Sequence, residues 1–261
     1  MTRAGRVARS LGGSGLVLAL AACAAPRGPI ARPLAAGDTR PAALVGRLAA
    51  DGASRHALRG VARLALDGPS GAARAKQILL VERPARLRAE ILGLLDQTVA
   101  LLVTDGVSYR LVRSDDPPSV ERGPVDEALL AEIAGIAFSP QLAVRVLLAA
   151  PAESGERVVG GAALSDGGVR AIVTSGAGPW RESFDFDGEA RLARWARLGA
   201  DGEPLLEARW DDWRPVGASL FPHALELTDH ATGAHARLAW SRLELDPPLA
   251  PALFDVGPAT P

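Results

Sequence analysis

Histidine occurs four times and cysteine once in this 261-residue chain, so imidazole and thiolate chemistry have few places to reside. His230 and His235 flank the turn signal Thr232-Gly233, with Asp229 beside the first of them. That spacing could bring two nitrogens and a carboxylate together across a hairpin, but a zinc-type centre needs further ligands, and solvated turn residues account for the same pattern. Asp115-Asp116 and Asp211-Asp212 are paired carboxylates. Neighbours in an extended strand point to opposite faces, which makes them poor partners as acid and base. His223 follows Pro222 and reads as a surface residue at a strand start. No Gly-x-Ser-x-Gly elbow and no phosphate-binding glycine loop after a strand occurs. These residues predict a protein that is not an enzyme and holds no metal. The remaining nucleophile is Cys23, preceded by Leu20-Ala21-Ala22.

Its surroundings assign that thiol a different chemistry. Arg3, Arg6 and Arg9 precede an apolar stretch from Leu11 to Ala22, which is too short to span a bilayer but has the charge and length of a secretory signal peptide. An exported lone thiol is an oxidation liability without a disulfide partner, whereas one consumed as a thioether is none. Leu20-Ala21-Ala22-Cys23 resembles the lipobox of bacterial lipoproteins; the other reading is an incidental cysteine ending an ordinary signal peptide. The resemblance implies cleavage before Cys23, with a diacylglycerol and an N-acyl group on that residue and no other cofactor. Ala24, not Asp, follows, which resembles the sorting pattern for the outer membrane, on its periplasm-facing side.

The balance of 29 basic against 30 acidic residues leaves no excess for a phosphate backbone, so nucleic acid is not an expected partner. With 48% apolar residues the chain is too apolar for disorder, and 28 Gly with 20 Pro exclude a long helical rod. The expected layout is a signal peptide over 1–22, a lipidated cysteine with a Pro-rich tether over 23–41, one folded domain over 42–257 and a tail over 258–261.

The elements that would position any site follow from periodicity. A short helix should start near Thr39 and Pro41, with Leu44, Val45 and Leu48 on one stripe and Asp51-Gly52 at its end. Alternation then begins. Leu58, Gly60, Ala62, Leu64 and Leu66 share one face of a strand, and further strands are expected near 74–81, 86–92, 98–103 and 107–112, the last two joined by Asp105-Gly106. Two helices interrupt the meander: 126–134, and a second opened by Ser139-Pro140 whose apolar face includes Leu142 and Val146. Strand signals then resume to the end. The expected fold is mainly β with α (α+β): a single antiparallel, curved sheet of about ten to eleven strands with an N-terminal helix, whose concave face is filled by side chains, covered by the helices or left as a ligand cavity.

Four stretches resemble the LolA/LolB lipoprotein-carrier superfamily. Leu58 to Leu66 looks like its first strand. Arg88-Ala89-Glu90-Ile91-Leu92-Gly93-Leu94-Leu95 sits where LolB has a strand running into an apolar protruding loop. The segment from Leu129 to Ala149, with Phe138-Ser139-Pro140 inside it, resembles the lid helices. Arg209-Trp210-Asp211-Asp212-Trp213 through Phe221-Pro222 to Trp240 looks like the closing strands. The chain departs from typical LolB in its second strand, which has Gln77 but no Trp.

The resemblance implies a strongly curved half-barrel with a two-helix lid over an apolar cavity, in an outer-membrane-anchored protein that binds an acyl chain or a lipidated protein and aids lipoprotein localisation or lipid transfer. Its partners would be lipid or lipoprotein acyl chains and a periplasmic LolA-like carrier, with the protein itself a monomer. Such a carrier answers a physical need, because exposing an acyl chain of about 16 carbons to water costs on the order of 12 kcal/mol. Phe184, Phe186, Trp210, Trp240, Leu142 and Val146 are candidates for lining the cavity, the other reading being that they fill a sealed core. Leu92, Leu94 and Leu95 are candidates for a membrane-transfer loop, the other reading being the end of a buried strand. The alternative function is a structural or docking lipoprotein of an envelope assembly, its interior filled by its own side chains.

Overall fold

The computed structural model describes residues 31–69, 71–126, 129–131, 135–153, 155–174 and 180–257. The expected signal peptide and Cys23 lie outside them, as do much of the first expected lid helix and the expected tail.

Alternating apolar residues build the sheet as the chain proceeds. β1 is Ala31–Pro33, followed by α1, Arg40–Ser54. A meander follows: β2 Ala57–Gly68, β3 Gly71–Glu82, β4 Arg86–Leu92, β5 Thr98–Thr104, β6 Ser108–Arg113 and β7 Ser119–Pro124. Residues 129–131 are helical, and α2 is Pro140–Leu147. A second meander closes the chain: β8 Arg157–Leu164, β9 Val169–Thr174, β10 Arg181–Phe186, β11 Leu192–Leu198, β12 Pro204–Val216, β13 Ser219–Asp229 and β14 His235–Leu245. All described pairings are antiparallel, and β14 pairs with β2 to join the two meanders into one sheet that runs from β1 to β7 without closing.

The described sheet thus has fourteen strands, not ten to eleven. β1 is hidden in the sequence by the proline-rich composition of the stretch read as a tether, yet Ala31 to Pro33 pairs with β8. β7 reads Ser-Val-Glu-Arg-Gly-Pro, and an edge strand of this kind can lack an apolar face.

The helices lie on one face of the sheet, here called inner. In α1, Pro41, Val45, Leu48 and Gly52 are buried at helical spacing. Asp38, not Thr39, caps it, its Oδ1 accepting from the Arg40 N–H at 3.0 Å. Ser139 caps α2 as its type predicts, accepting from the Leu142 N–H at 3.3 Å. Gly52 lets α1 approach the segment after α2, since a Cβ there would stand 2.8 Å from the Ala150 Cβ. On the outer face, Phe254 of the C-terminal segment covers Leu80 of β3 and Val103 of β5.

Candidate functional site: an apolar cavity with an exposed loop at its mouth

Two halves of the inner face differ in the size of their side chains. Over β9 to β12 the face carries Phe184, Phe186, Trp195 and Trp210, each at most 4% exposed. These rings pack against small partners such as Ala171 and Ala208, which face them from β9 and β12. Over β2 to β6 and the adjoining parts of β13 and β14 the face is mostly aliphatic, with Trp240 and Phe221 as buried exceptions, and there a gap remains.

That gap is a cavity of about 420 Å³. Leu79, Leu87, Leu102 and Leu111 form its buried end, and the segment before α2 contributes Leu130, Ile136 and Phe138 above it. Volumes of a few hundred Å³ bounded by apolar side chains suit a small apolar ligand, for which such sites span roughly 300–1,000 Å³. Burial along β3 falls from Leu79 and Gln77, both buried, through half-buried Ala75 to exposed Ala73, so the cavity opens at the β2–β3 hairpin end.

The register places a second hairpin at the same end. Lys76 pairs with Leu92 and Ala100 with Arg113, so the β4–β5 and β6–β7 turns stand beside the mouth. The β4–β5 turn projects Leu94 and Leu95, 102% and 87% exposed, while Leu92 is half-buried. Its shape is held from within. Gly93 N–H donates to Gln97 O at 2.8 Å, Leu95 N–H to Gln97 Oε1 at 2.9 Å, and Lys76 Nζ meets Asp96 at 3.0 Å. Of the two readings of this stretch, the loop is therefore the one with the observed geometry at Leu94 and Leu95.

The six residues expected to line a cavity lie elsewhere. Phe184, Phe186, Trp210, Trp240, Leu142 and Val146 are all buried in the core, and none borders this cavity. Phe186 instead borders a separate pocket of about 260 Å³ with Leu48 and Leu192, and the others are packed among core neighbours. Leu64, Leu66 and the inward residues of β3 to β6 do the lining; alternation along β2 marks the first two, whereas β3 and β5 carry continuous apolar runs that do not single out one face.

The polar candidates are engaged in separate contacts. Asp229 caps its own turn, accepting from the N–H groups of Ala231 and Thr232, and from Ala137 across the chain. His230 Nε2 lies 3.7 Å from Glu207 and His235 Nε2 3.9 Å from Glu226, so the two imidazoles face different carboxylates. Asp212 pairs with Arg214 at 2.6 Å, and Asp115 accepts from the Ser119 hydroxyl. Among the described residues no group of three His, Cys, Asp or Glu is placed to hold a metal.

A charged cluster sits by α2. Arg145 pairs with Glu153, and burial lowers its pKa. Glu156 is pushed up to about 8, first by burial and then by the Glu182 carboxylate, against the pull of Arg145. Glu182 in turn accepts from the Trp195 indole at 3.0 Å and pairs with Arg197 at 3.2 Å. The cluster closes the filled half of the sheet, away from the cavity lining.

No protein-family model and no curated protein matches the chain. Solved structures do. A LolA superfamily protein from Nitrosomonas europaea superposes with a TM-score of 0.54 at 10% identity, covering 81% of this chain and 97% of that one. A DUF1329 family protein from Desulfovibrio piger gives 0.55 at 11%, covering 83% and 96%. A Vibrio parahaemolyticus domain, described as that of an outer membrane lipoprotein-sorting protein, gives 0.51 at 12%, covering 82% and 95%. At such identities the likeness is one of fold.

Proposed function

We propose that this chain, whose fold is LolA/LolB-like, is a bacterial envelope protein that takes an acyl chain of a lipid or lipoprotein into its apolar cavity and thereby aids lipoprotein localisation or lipid transfer, without catalysing a reaction. The observation that carries this reading is the unfilled aliphatic half of the inner face, about 420 Å³, opening beside two fully projecting leucines. Methylenes moved from water into such a space gain about 0.8 kcal/mol each, and walls of Leu, Ile and Ala let a chain slide in and out. Leu94 and Leu95 would enter the acyl layer of a membrane at the moment of release. In this reading Cys23 carries the lipid anchor and holds the protein to the outer membrane, facing the periplasm. A LolA-like periplasmic carrier would be the donor, and the protein acts as a monomer. The name carried by the Vibrio neighbour is consistent with that role. A docking subunit would have no use for the gap, which is why the carrier reading is preferred.

The test is to purify the chain from Ala24 onward after expression in bacteria, look for co-purified lipid by native mass spectrometry, and titrate a fluorescent fatty-acid probe. A bound acylated species, displaced by competing lipid, is expected. An empty protein that leaves the probe dark would move the assignment to the docking subunit.

A further inference from the structure

Seven polar or charged side chains are buried among the described residues, and five of them are hydrogen-bonded. The other two are Ser183, on the sheet face away from the cavity, whose hydroxyl is fully buried without a partner, and Gln77, whose amide atoms keep accessible surface. Gln77 is 4% exposed, on β3, and borders the cavity. Its cross-strand neighbours are Ala62 on β2 and Ile91 on β4, neither of which has a side-chain polar atom to offer. Its amide makes no hydrogen bond to any described residue. An amide in that position presents two donors and an acceptor to an otherwise apolar cavity, where solvent can meet them and a ligand's polar group can take the solvent's place.

We infer that Gln77 is the polar anchor of the cavity and that its side-chain N–H donates to the carbonyl of an acyl ester or amide, selecting acylated cargo over plain hydrocarbon. This rests on the carrier reading above and adds to it the chemical class of the bound group. The geometry fits such a ligand. Gln77 lies two residues inward of half-buried Ala75, about 7 Å along an antiparallel strand. A head group can stay in water at the mouth while the first carbonyl reaches the amide and the chain continues towards Leu79 and Leu87. The other polar lining residues suit this role less well. Arg113 is half-buried and paired with Glu121 at 3.3 Å, and Arg74 is exposed. An isolated amide can distinguish a carbonyl from a methylene because a methylene that displaces its solvent leaves the donor unmet, whereas a wall of leucines treats both alike.

Two lipids that differ in that one group make the test: 1-palmitoyl lysophosphatidylcholine, with an ester carbonyl, and its 1-O-hexadecyl ether, without one. Both are titrated below micelle formation into the chain from Ala24 onward, which carries every described element, by displacement of a fluorescent acyl probe. Wild type should bind the ester roughly five- to tenfold more tightly, the share of one hydrogen bond. In Gln77→Met, which keeps the length and removes the donor, the ratio should fall to about one through loss on the ester side alone. Gln77→Leu gives the same comparison should the Met variant fold poorly. Without ligand, the Met variant should melt close to the wild-type Tm, because the amide makes no bond to a described residue and the side chain keeps its length. Equal binding of both lipids by wild type, selectivity that survives in the variant, or a clear drop in its Tm would overturn the assignment while leaving the carrier reading intact. Failure of wild type to bind either lipid would defeat the carrier reading and this inference together.

Discussion

The indole N–H of Trp210 on β12 donates to the carbonyl oxygen of Val146 on α2 across 3.2 Å, tying the helix to the sheet at the boundary between the filled and the open halves of the interior. Val146 O also accepts from Ala149 N–H at 3.0 Å, so the indole adds a second bond to an already satisfied carbonyl. Trp210→Phe should therefore cost about 1–3 kcal/mol from lost packing and one hydrogen bond, and should loosen α2 without abolishing folding. Urea unfolding with hydrogen exchange at α2 amides checks this. Unchanged stability and unchanged protection would show that the bond does not hold the helix.

Gly60 on β2 and Trp240 on β14 meet so closely that a Cβ at Gly60 would lie 2.7 Å from the indole ring and 2.8 Å from Arg242 O. Gly60→Ala should destabilise by about 1–3 kcal/mol, as overpacking does. Trp240→Leu removes the ring that crowds the site, so the double variant should be less destabilised than the two single changes summed. Additive losses would mean that the backbone oxygen, not the indole, sets the limit.

Alternation made β2 to β6 legible, because one face of each strand is apolar and Asp105-Gly106 marks a turn in which Asp105 Oδ1 receives the N–H groups of Val107 and Ser108. The same pattern could not say whether that face is filled. Whether rings or leucines share a half of the interior depends on which strands become neighbours, and the β14–β2 pairing joins residues over 160 positions apart, such as Leu238 and Leu64. Aromatic residues were the natural candidates for a ligand site, yet their bulk is what closes the space around them. Gln77 figures in the sequence only as a residue of the second strand that no Trp accompanies, and its lack of a partner is a property of Ala62 and Ile91 beside it.

Glu156 makes stability depend on pH. Its ordinary value of 4.5 is raised to about 8 in the folded protein by burial and by Glu182, opposed by Arg145. Between these values the folded state holds a proton that the unfolded chain has released, so this group's effect on stability worsens as pH rises through that window and levels off above it. Glu207, whose pKa is lowered, acts only at and below the ordinary carboxylate range and does not interfere. Glu156→Gln should flatten the decline between pH 6 and 9 and leave the variant the more stable protein at pH 9. Identical slopes from urea titrations of both proteins would refute the assignment.

Leu94 and Leu95 separate membrane contact from ligand binding. Both project fully from a turn braced by Gln97 and by the Lys76–Asp96 pair, and neither borders the cavity. A Leu94→Asp, Leu95→Asp double variant should accordingly keep its Tm within about 2 °C, since surface changes away from such features stay within about 0.5 kcal/mol. It should also keep its affinity for a soluble acyl probe. Placing carboxylates where the turn must enter hydrocarbon should cut the transfer of a fluorescent acyl lipid from the protein to phosphatidylethanolamine–phosphatidylglycerol vesicles at least tenfold, because charges resist leaving water. Transfer at the wild-type rate would remove the loop from the mechanism. A loss of probe affinity would instead place these leucines in the binding site itself.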